Sequence, residues 1–358
     1  MRSEIRSLTG LRGLAALWVM TGHYIRDTPS DPTVVYVINH MYIAVDLFMV
    51  LSGFVLGMSY NADFETRPSG RRMWRFVLLR IARIWPVYAL SCIACVLLVV
   101  TGIGVWGPPD ISPFAIALNL GMMQSWLSGY GSLNAVGWSI STEWAANLLF
   151  PLFGLLLMRP SLRCSAIWAA CTLAVLVVFA AVGGRGGPDA PPVFGALTWY
   201  SFPGAMVRCL TEFMFGMFCW RLRRDAAWTS WFGSTWVLLP VVLVMAAMTL
   251  DRAMDIFFVI LACVTIVGFS HERSVVARVF ASSVPRWLGM VSFSLYLWHI
   301  PLLRLEPTME SVTGRLGAPD PWLAGSLATM AISLGAAGLS YRWIEKPFQR
   351  GLRRAFGV

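Results

Sequence analysis

Five ionisable side chains lie inside long apolar runs of this sequence: His23, Asp46, Glu143, Glu212 and His299. Placing such a group in hydrocarbon costs at least about 2.5–3.5 kcal/mol on insertion scales, so each marks a place where chemistry is expected. A histidine titrating near neutrality suits removal of a proton from an attacking hydroxyl. Intramembrane His, Asp and Glu suit a proton relay equally well. Ser139 and Glu143, in WSISTEW, stand at i and i+4 on one helix face and are expected to hydrogen bond. Glu212 has Arg208 four residues before it, so a structural ion pair is the competing reading there.

Arg12 and His23 are eleven residues apart. At about 100° per residue they fall within about 20° of one helix face, separated by about 16 Å along the axis. That face holds a permanent cation near one membrane surface and a titratable base deep in the bilayer. It fits a long, thin ligand with an anionic head and a reactive far end. The plainer alternative is a snorkelling anchor at Arg12 and a carbonyl-bonded ring at His23. Arg80 and Arg83, at i and i+3, present two guanidiniums side by side, a geometry suited to phosphate. Attraction to anionic lipid is the alternative for those two.

The elements carrying these residues follow from composition. Of 358 residues 57% are apolar and 13% charged, whereas a soluble domain has about 45–50% and about 25%. A soluble globular protein is excluded. At about 20 residues per span, hydropathy places ten helices at 8–25, 37–58, 86–105, 134–157, 162–182, 203–220, 232–250, 253–270, 284–303 and 322–343. The expected fold is an all-α polytopic membrane bundle, a single domain over 1–358 with no additional soluble domain. With the N-terminus inside, 22 of the 28 Lys and Arg residues fall in cytoplasmic segments. By the positive-inside rule both termini are cytoplasmic, and the formal charge of +10 reflects membrane orientation, with no nucleic acid as partner.

Two stretches are expected not to span. Residues 71–84 suit a basic helix at the cytoplasmic interface, ahead of a third span that starts at Pro86. Residues 112–127 are apolar but short, and 183–195 is a Gly/Pro-rich outer loop. In this topology Asp46 and Glu143 lie about 13 Å below the outer face. They can converge there with His23 and His299. The seven cysteines lie mostly in apolar runs without a CxxC pair and are expected to pack as small hydrophobes; no metal is expected.

Motifs in chain order resemble the integral-membrane acyltransferase 3 family. TGLRGLAALWVMTGH (9–23) is similar to its N-terminal arginine, ten residues, histidine signature. VDLFMVLSGFVLG (45–57), LLRIARIWPVY (78–88), VGWSISTEW (136–144), FSLYLWHIPL (293–302) and YRWIEKPF (341–348) resemble its further motifs. Met49 departs from the usual phenylalanine-like residue, which bears on packing only. The resemblance implies transfer of an acyl group, acetyl above all, from cytoplasmic acyl-CoA to a hydroxyl of a sugar-containing acceptor, in the inner membrane. It implies His23 as general base, with Glu143, Ser139 and Asp46 orienting it or the acceptor. Arg12, Arg80 and Arg83 would hold the coenzyme A phosphates. Tyr296, Trp298, His299, Trp138 and Ser52 would shape the acceptor side, a packed core histidine being the equal alternative for His299; if an acyl-enzyme formed, Ser52, Ser139 or a histidine would be its nucleophile. Trp106, Trp126, Tyr130, Trp199 and Tyr200 could stack on sugar or sit in the interfacial belt. The alternative function is a proton-coupled exporter or flippase of a glycan or lipid-linked precursor.

Overall fold

The computed structural model describes residues 4–25, 32–65, 69–102, 110–127, 131–185, 192–193, 197 and 202–355. Arg26, Trp106, Tyr130, Trp199, Tyr200 and much of the 183–195 loop lie outside the described residues. Among the described residues the regular structure is helical, apart from a pairing of β1 (Gly184–Arg185) with β2 (Pro192–Val193). The first half holds α1 (Arg6–Ile25), α2 (Pro32–Asn39), α3 (Ile43–Glu65), α4 (Gly70–Val100), α5 (Pro113–Leu120), α6 (Gly137–Leu157) and α7 (Leu162–Gly183). The second holds α8 (Gly204–Asp225), α9 (Thr235–Met248), α10 (Asp255–Phe269), α11 (Val275–Phe280), α12 (Ser283–Leu303), α13 (Glu306–Arg315), α14 (Pro321–Ser340) and α15 (Lys346–Ala355). Among the described residues six helical stretches are long and apolar enough to cross a membrane. They become eight if the bent pair ending in α9 and the α12–α13 pair, bent by 65° and 68°, each count as one.

Local sequence explains the starts. Ser69, Ser112, Ser274 and Asp320 cap α4, α5, α11 and α14 by accepting from backbone N–H groups, with proline in the first turn of α5 and α14. Residues 71–84 differ from the expectation. They are not a separate interfacial helix, because α4 runs unbroken through Pro86. A proline inside a helix removes one backbone bond and strains the turn before it, and here the helix continues through that site. Thirty-one residues at 1.5 Å each make about 46 Å against a hydrocarbon core of about 30 Å. The helix is therefore longer than such a core is thick, and its arginines are gathered in its first half. Residues 112–127 form α5 and a 3₁₀ turn at Gln124–Trp126. They are pinned by Gln124, whose amide donates to Tyr88 Oη and the Gly137 carbonyl at 2.9 Å each.

Two backbone seams organise the bundle. A Cβ on Gly289 of α12 would lie 1.8 Å from the Thr9 carbonyl of α1, and one on Gly216 of α8 would lie 1.9 Å from the Val50 carbonyl of α3. Gly13 and Gly53 face the same seams from the opposite helices. Without a hydrophobic drive between helices in lipid, such close approach is how membrane helices gain packing energy. The start of α1 meets the end of α10 through Ser7 Oγ, which donates to the Phe269 carbonyl at 2.8 Å. Arg223 at the end of α8 donates to Ser270 Oγ at 3.1 Å, and Arg286 at the start of α12 donates to Glu4 at 2.7 Å. Hydrogen bonds from Arg286 hold the Glu4 carboxyl below its usual range. These arginines share one end of the bundle. At the other end α1 and α12 meet again at His23 and His299.

Candidate active site

A cavity of about 800 Å³ is walled by α3, α4, α6 and α12. Along α4 its lining steps through Arg72, Arg75, Phe76, Leu79, Arg80, Arg83 and Ile84, the spacing of one helical face. Arg12 of α1 adds a further guanidinium. The basic character is concentrated toward the bundle end where the arginines gather, whereas Val45, Phe48, Met49 and Ile140 make the inner wall apolar. From Tyr60 to Val45 on α3 the lining extends over fifteen residue steps, about 22 Å of helix. A slot with cations at its mouth and apolar walls beyond accepts an extended ligand bearing phosphate at one end.

Arg12 and Arg83 are held differently. Arg12 Nη2 donates to the Gly289 carbonyl at 2.8 Å, while its buried Nε has no hydrogen-bond acceptor among the described residues. Arg83 is paired with Glu345 and lies 5.5 Å above the Phe293 ring. Glu345 sits in a π-type turn, Tyr341–Glu345, between α14 and α15 and also accepts from Ser294 Oγ at 2.8 Å. Such local widening is common at functional sites. The partnership of Glu345 with Arg83 was not expected, nor were Arg72 and Arg75 as lining residues. The i, i+3, i+7 spacing of 72, 75 and 79 was the available signal.

At the inner wall Ser52 Oγ donates to Glu143 Oε1 at 3.1 Å. Ser139, expected to pair with Glu143, instead meets Tyr296 Oη at 2.8 Å and donates to the Val136 carbonyl at 3.0 Å. The i, i+4 relation places both side chains on the cavity face, but each finds its bond on another element. Tyr296 lines the cavity, packs edge-on to Phe48 at 6.1 Å and lies 5.9 Å from the His299 ring. One turn further along α12, His299 Nε2 is 3.2 Å from His23 Nδ1. His23 Nδ1 also lies 3.0 Å from the Val19 carbonyl, and His299 Nδ1 lies 3.2 Å from the Leu295 carbonyl. The two histidines, 276 positions apart, are thus brought together next to the inner wall.

Asp46 is placed elsewhere. Its carboxylate takes two bonds from Arg208, at 2.6 and 2.5 Å, and both side chains are fully buried. Glu212, expected as the partner of Arg208, lies 3.6 Å from it. Trp138 stacks against this guanidinium at 5.7 Å, so it packs on the ion pair and does not line the cavity. The Trp298 indole N–H is buried without an acceptor among the described residues. A second buried cluster went unanticipated: His40 bonds Asp255 at 2.7 Å and the Thr249 carbonyl at 2.8 Å, and Tyr42 Oη donates to Asp255 at 2.8 Å. Cys92, Cys95, Cys209, Cys219 and Cys263 are buried free thiols, while Cys164 and Cys171 are exposed on α7.

Residues 5–338 match the model of a family described as an acyltransferase domain. The chain is 27% identical to "Acyltransferase MdmB" of Streptomyces mycarofaciens over 98% of its own length and 93% of that protein. It is 25% identical to "Putative peptidoglycan O-acetyltransferase YrhL" of Bacillus subtilis over 98% of its length, spanning 56% of that longer protein. Over 26% of the chain it is 32% identical to "Peptidoglycan O-acetyltransferase OatA" of Listeria monocytogenes, covering 14% of it. No solved structure matches.

Proposed function

The chain belongs to the acyltransferase 3 family and is an acyltransferase of the membrane O-acyltransferase kind, and from that premise we propose that it moves an acyl group, acetyl foremost, from cytoplasmic acyl-CoA to a hydroxyl of a glycan. The observation that carries the donor is the slot lined by Arg12, Arg72, Arg75, Arg80 and Arg83 at one end and by Ser52, Glu143, Ser139 and Tyr296 further in. Coenzyme A pairs a polyanionic nucleotide with a slender arm, and bidentate guanidiniums are the natural phosphate partners. The acceptor class rests on relatives whose names give peptidoglycan as the acetylated glycan.

His23 is the general base. With its Nδ1 hydrogen directed at the Val19 carbonyl, Nε2 is the basic nitrogen that takes the hydroxyl proton. The alkoxide attacks the thioester carbonyl, the C–S bond breaks, and the proton passes to the departing thiolate. Transfer is direct. Ser52 bonds to Glu143 and Ser139 to Tyr296, so neither serine has the histidine partner that ordinary nucleophilic activation uses. Tyr296 and Phe48, lying between slot and histidine pair, must admit the thioester end to His23.

The proposed orientation takes ten spans. The six long apolar stretches and two bent pairs reach ten when α1 and α8 are added, helices whose apolarity is lowered by the very residues at issue, Arg12 and His23 or Arg208 and Glu212. The arginine-bearing end then faces the cytoplasm, with both termini on that side, in the inner membrane.

The test is release of free thiol from acetyl-CoA by protein in nanodiscs, with peptidoglycan fragments as acceptor. Native protein is expected to release thiol stoichiometrically with acetylated product. His23→Ala is expected to lose about 10²–10⁴-fold, the usual effect of a missing base. Native turnover in that variant refutes the assignment, and the absence of any thiol release returns the exporter reading.

A further inference from the structure

The histidine pair carries an inference about His299, which rests on His23 acting as base. His299 is fully buried and does not line the slot. Its position is over-determined: Tyr24 Oη donates to the His299 backbone carbonyl at 2.9 Å and meets Ser333 Oγ of α14 at 2.8 Å. The ring itself is oriented by two contacts. Nδ1 is 3.2 Å from the Leu295 carbonyl, and Nε2 is 3.2 Å from His23 Nδ1.

Carbonyl oxygens only accept. The contacts to Val19 and Leu295 therefore put a hydrogen on Nδ1 of each ring. In a neutral imidazole the other nitrogen then carries the lone pair. His299 Nε2 consequently turns a lone pair toward the His23 Nδ1–H, which it shares with the Val19 carbonyl. The opposite arrangement, a hydrogen on His299 Nε2, would aim two N–H groups at each other across 3.2 Å.

We propose that His299 is a positioning residue for the transfer: its Nε2 lone pair holds His23 in the tautomer whose Nε2 is basic and stabilises the imidazolium that forms. In the serine hydrolase triad a carboxylate performs this task for the catalytic histidine. Here the partner is a neutral imidazole, so no second buried charge has to be maintained in the bilayer. The balance of the step is unchanged. The acceptor O–H breaks as His23 Nε2–H forms, the new ester C–O bond forms as the thioester C–S bond breaks, and the thiolate takes the proton from His23 Nε2. The Nδ1 hydrogen stays on His23 throughout, and no further reagent is consumed.

Two substitutions separate this role from packing. His299→Gln retains an acceptor near the position of the imidazole Nε2, whereas His299→Phe keeps the volume and aromatic contact but removes the acceptor. Thiol release from acetyl-CoA with peptidoglycan fragments is measured for both, alongside binding of coenzyme A and the thermal midpoint. His299→Phe is expected to lose about 10–100-fold in kcat, the range seen when the outer partner of a functional histidine is removed. Its coenzyme A affinity should remain native, because His299 lies outside the slot, and His299→Gln should recover most of the kcat. Native kcat in His299→Phe overturns the proposal, as does equal loss in both variants at native midpoint and coenzyme A affinity. A fall in midpoint or donor affinity matching the loss of kcat assigns His299 to packing and likewise overturns it. His23→Ala separates the two levels: if it is inactive while His299→Phe is native, only the positioning role falls. If His23→Ala turns over normally, or native protein releases no thiol, the base assignment falls and takes this proposal with it.

Discussion

Replacing Arg208 with leucine should be among the most damaging single changes in the bundle, and more damaging than Asp46→Asn. Arg208 and Asp46 are both fully buried and joined by two short bonds, with Glu212 3.6 Å from the same guanidinium. Removing one member of a buried pair leaves an uncompensated charge and typically costs about 3–5 kcal/mol. Loss of the cation over Trp138 adds about 0.5–2 kcal/mol. Asp46→Asn is milder, because Arg208 keeps Glu212 and the Tyr42 carbonyl at 3.4 Å. The lost charge-assisted bonds are then worth about 1.5–3 kcal/mol. The Asp46→Leu, Arg208→Leu double variant should be less damaged than the sum of its singles, since the two side chains share one interaction. Thermal midpoints in a single detergent measure this: Arg208→Leu is expected to fall by on the order of 10 °C, Asp46→Asn by less, with turnover in Asp46→Asn retained below its midpoint. A native midpoint in Arg208→Leu would refute the electrostatic reasoning. A loss of turnover beyond about 100-fold in Asp46→Asn at native midpoint would return Asp46 to the chemistry, where base-type effects have that size.

Gly289→Ala should push α1 from α12, since its Cβ would stand 1.8 Å from the Thr9 carbonyl; overpacking of this kind costs about 1–3 kcal/mol. Turnover should fall with it, because the same seam carries the Arg12 bond to Gly289 and the His23–His299 contact, and a variant of native midpoint and native rate would break that link. Arg12→Lys, Arg80→Lys and Arg83→Lys should each raise the apparent KM for acetyl-CoA several-fold, because an ammonium lacks the forked geometry for phosphate; titration showing native KM in all three would leave them as lipid anchors. Ser52→Ala and Ser139→Ala should keep at least about a tenth of native turnover, against the 10²–10⁴-fold penalty of losing a central group. Radiolabelled acetyl-CoA without acceptor should leave no label on denatured protein, and a stoichiometric burst of thiol with retained label would establish an acyl-enzyme instead.

What could be read from the chain alone is what one helix determines for itself. A helix repeats every 3.6 residues, so Arg80 and Arg83 on one face of α4, and Arg12 with His23 along α1, follow from numbering; Arg12, Arg80 and Arg83 line the slot, and His23 does not. Hydropathy marks the apolar stretches, six of which among the described residues are long and apolar enough to cross a membrane, and gives each polar group an expected depth. Depth says nothing of azimuth. The sequence puts Asp46 and Glu143 at one expected level, yet one turns toward Arg208, 162 positions away, and the other toward Ser52, 91 positions away. Continuous α4 also escaped the sequence, since Pro86 signals a helix start as readily as a tolerated interior site. The rotation of each helix about its axis is decided by the seams at Gly289 against Thr9 and Gly216 against Val50, where backbones touch and no side chain intervenes. Those seams join residues more than a hundred positions apart, and no local spacing encodes them. The α1–α12 seam sets His23 against His299, because rigid helices locked by backbone contact leave their polar side chains only the partners that packing presents.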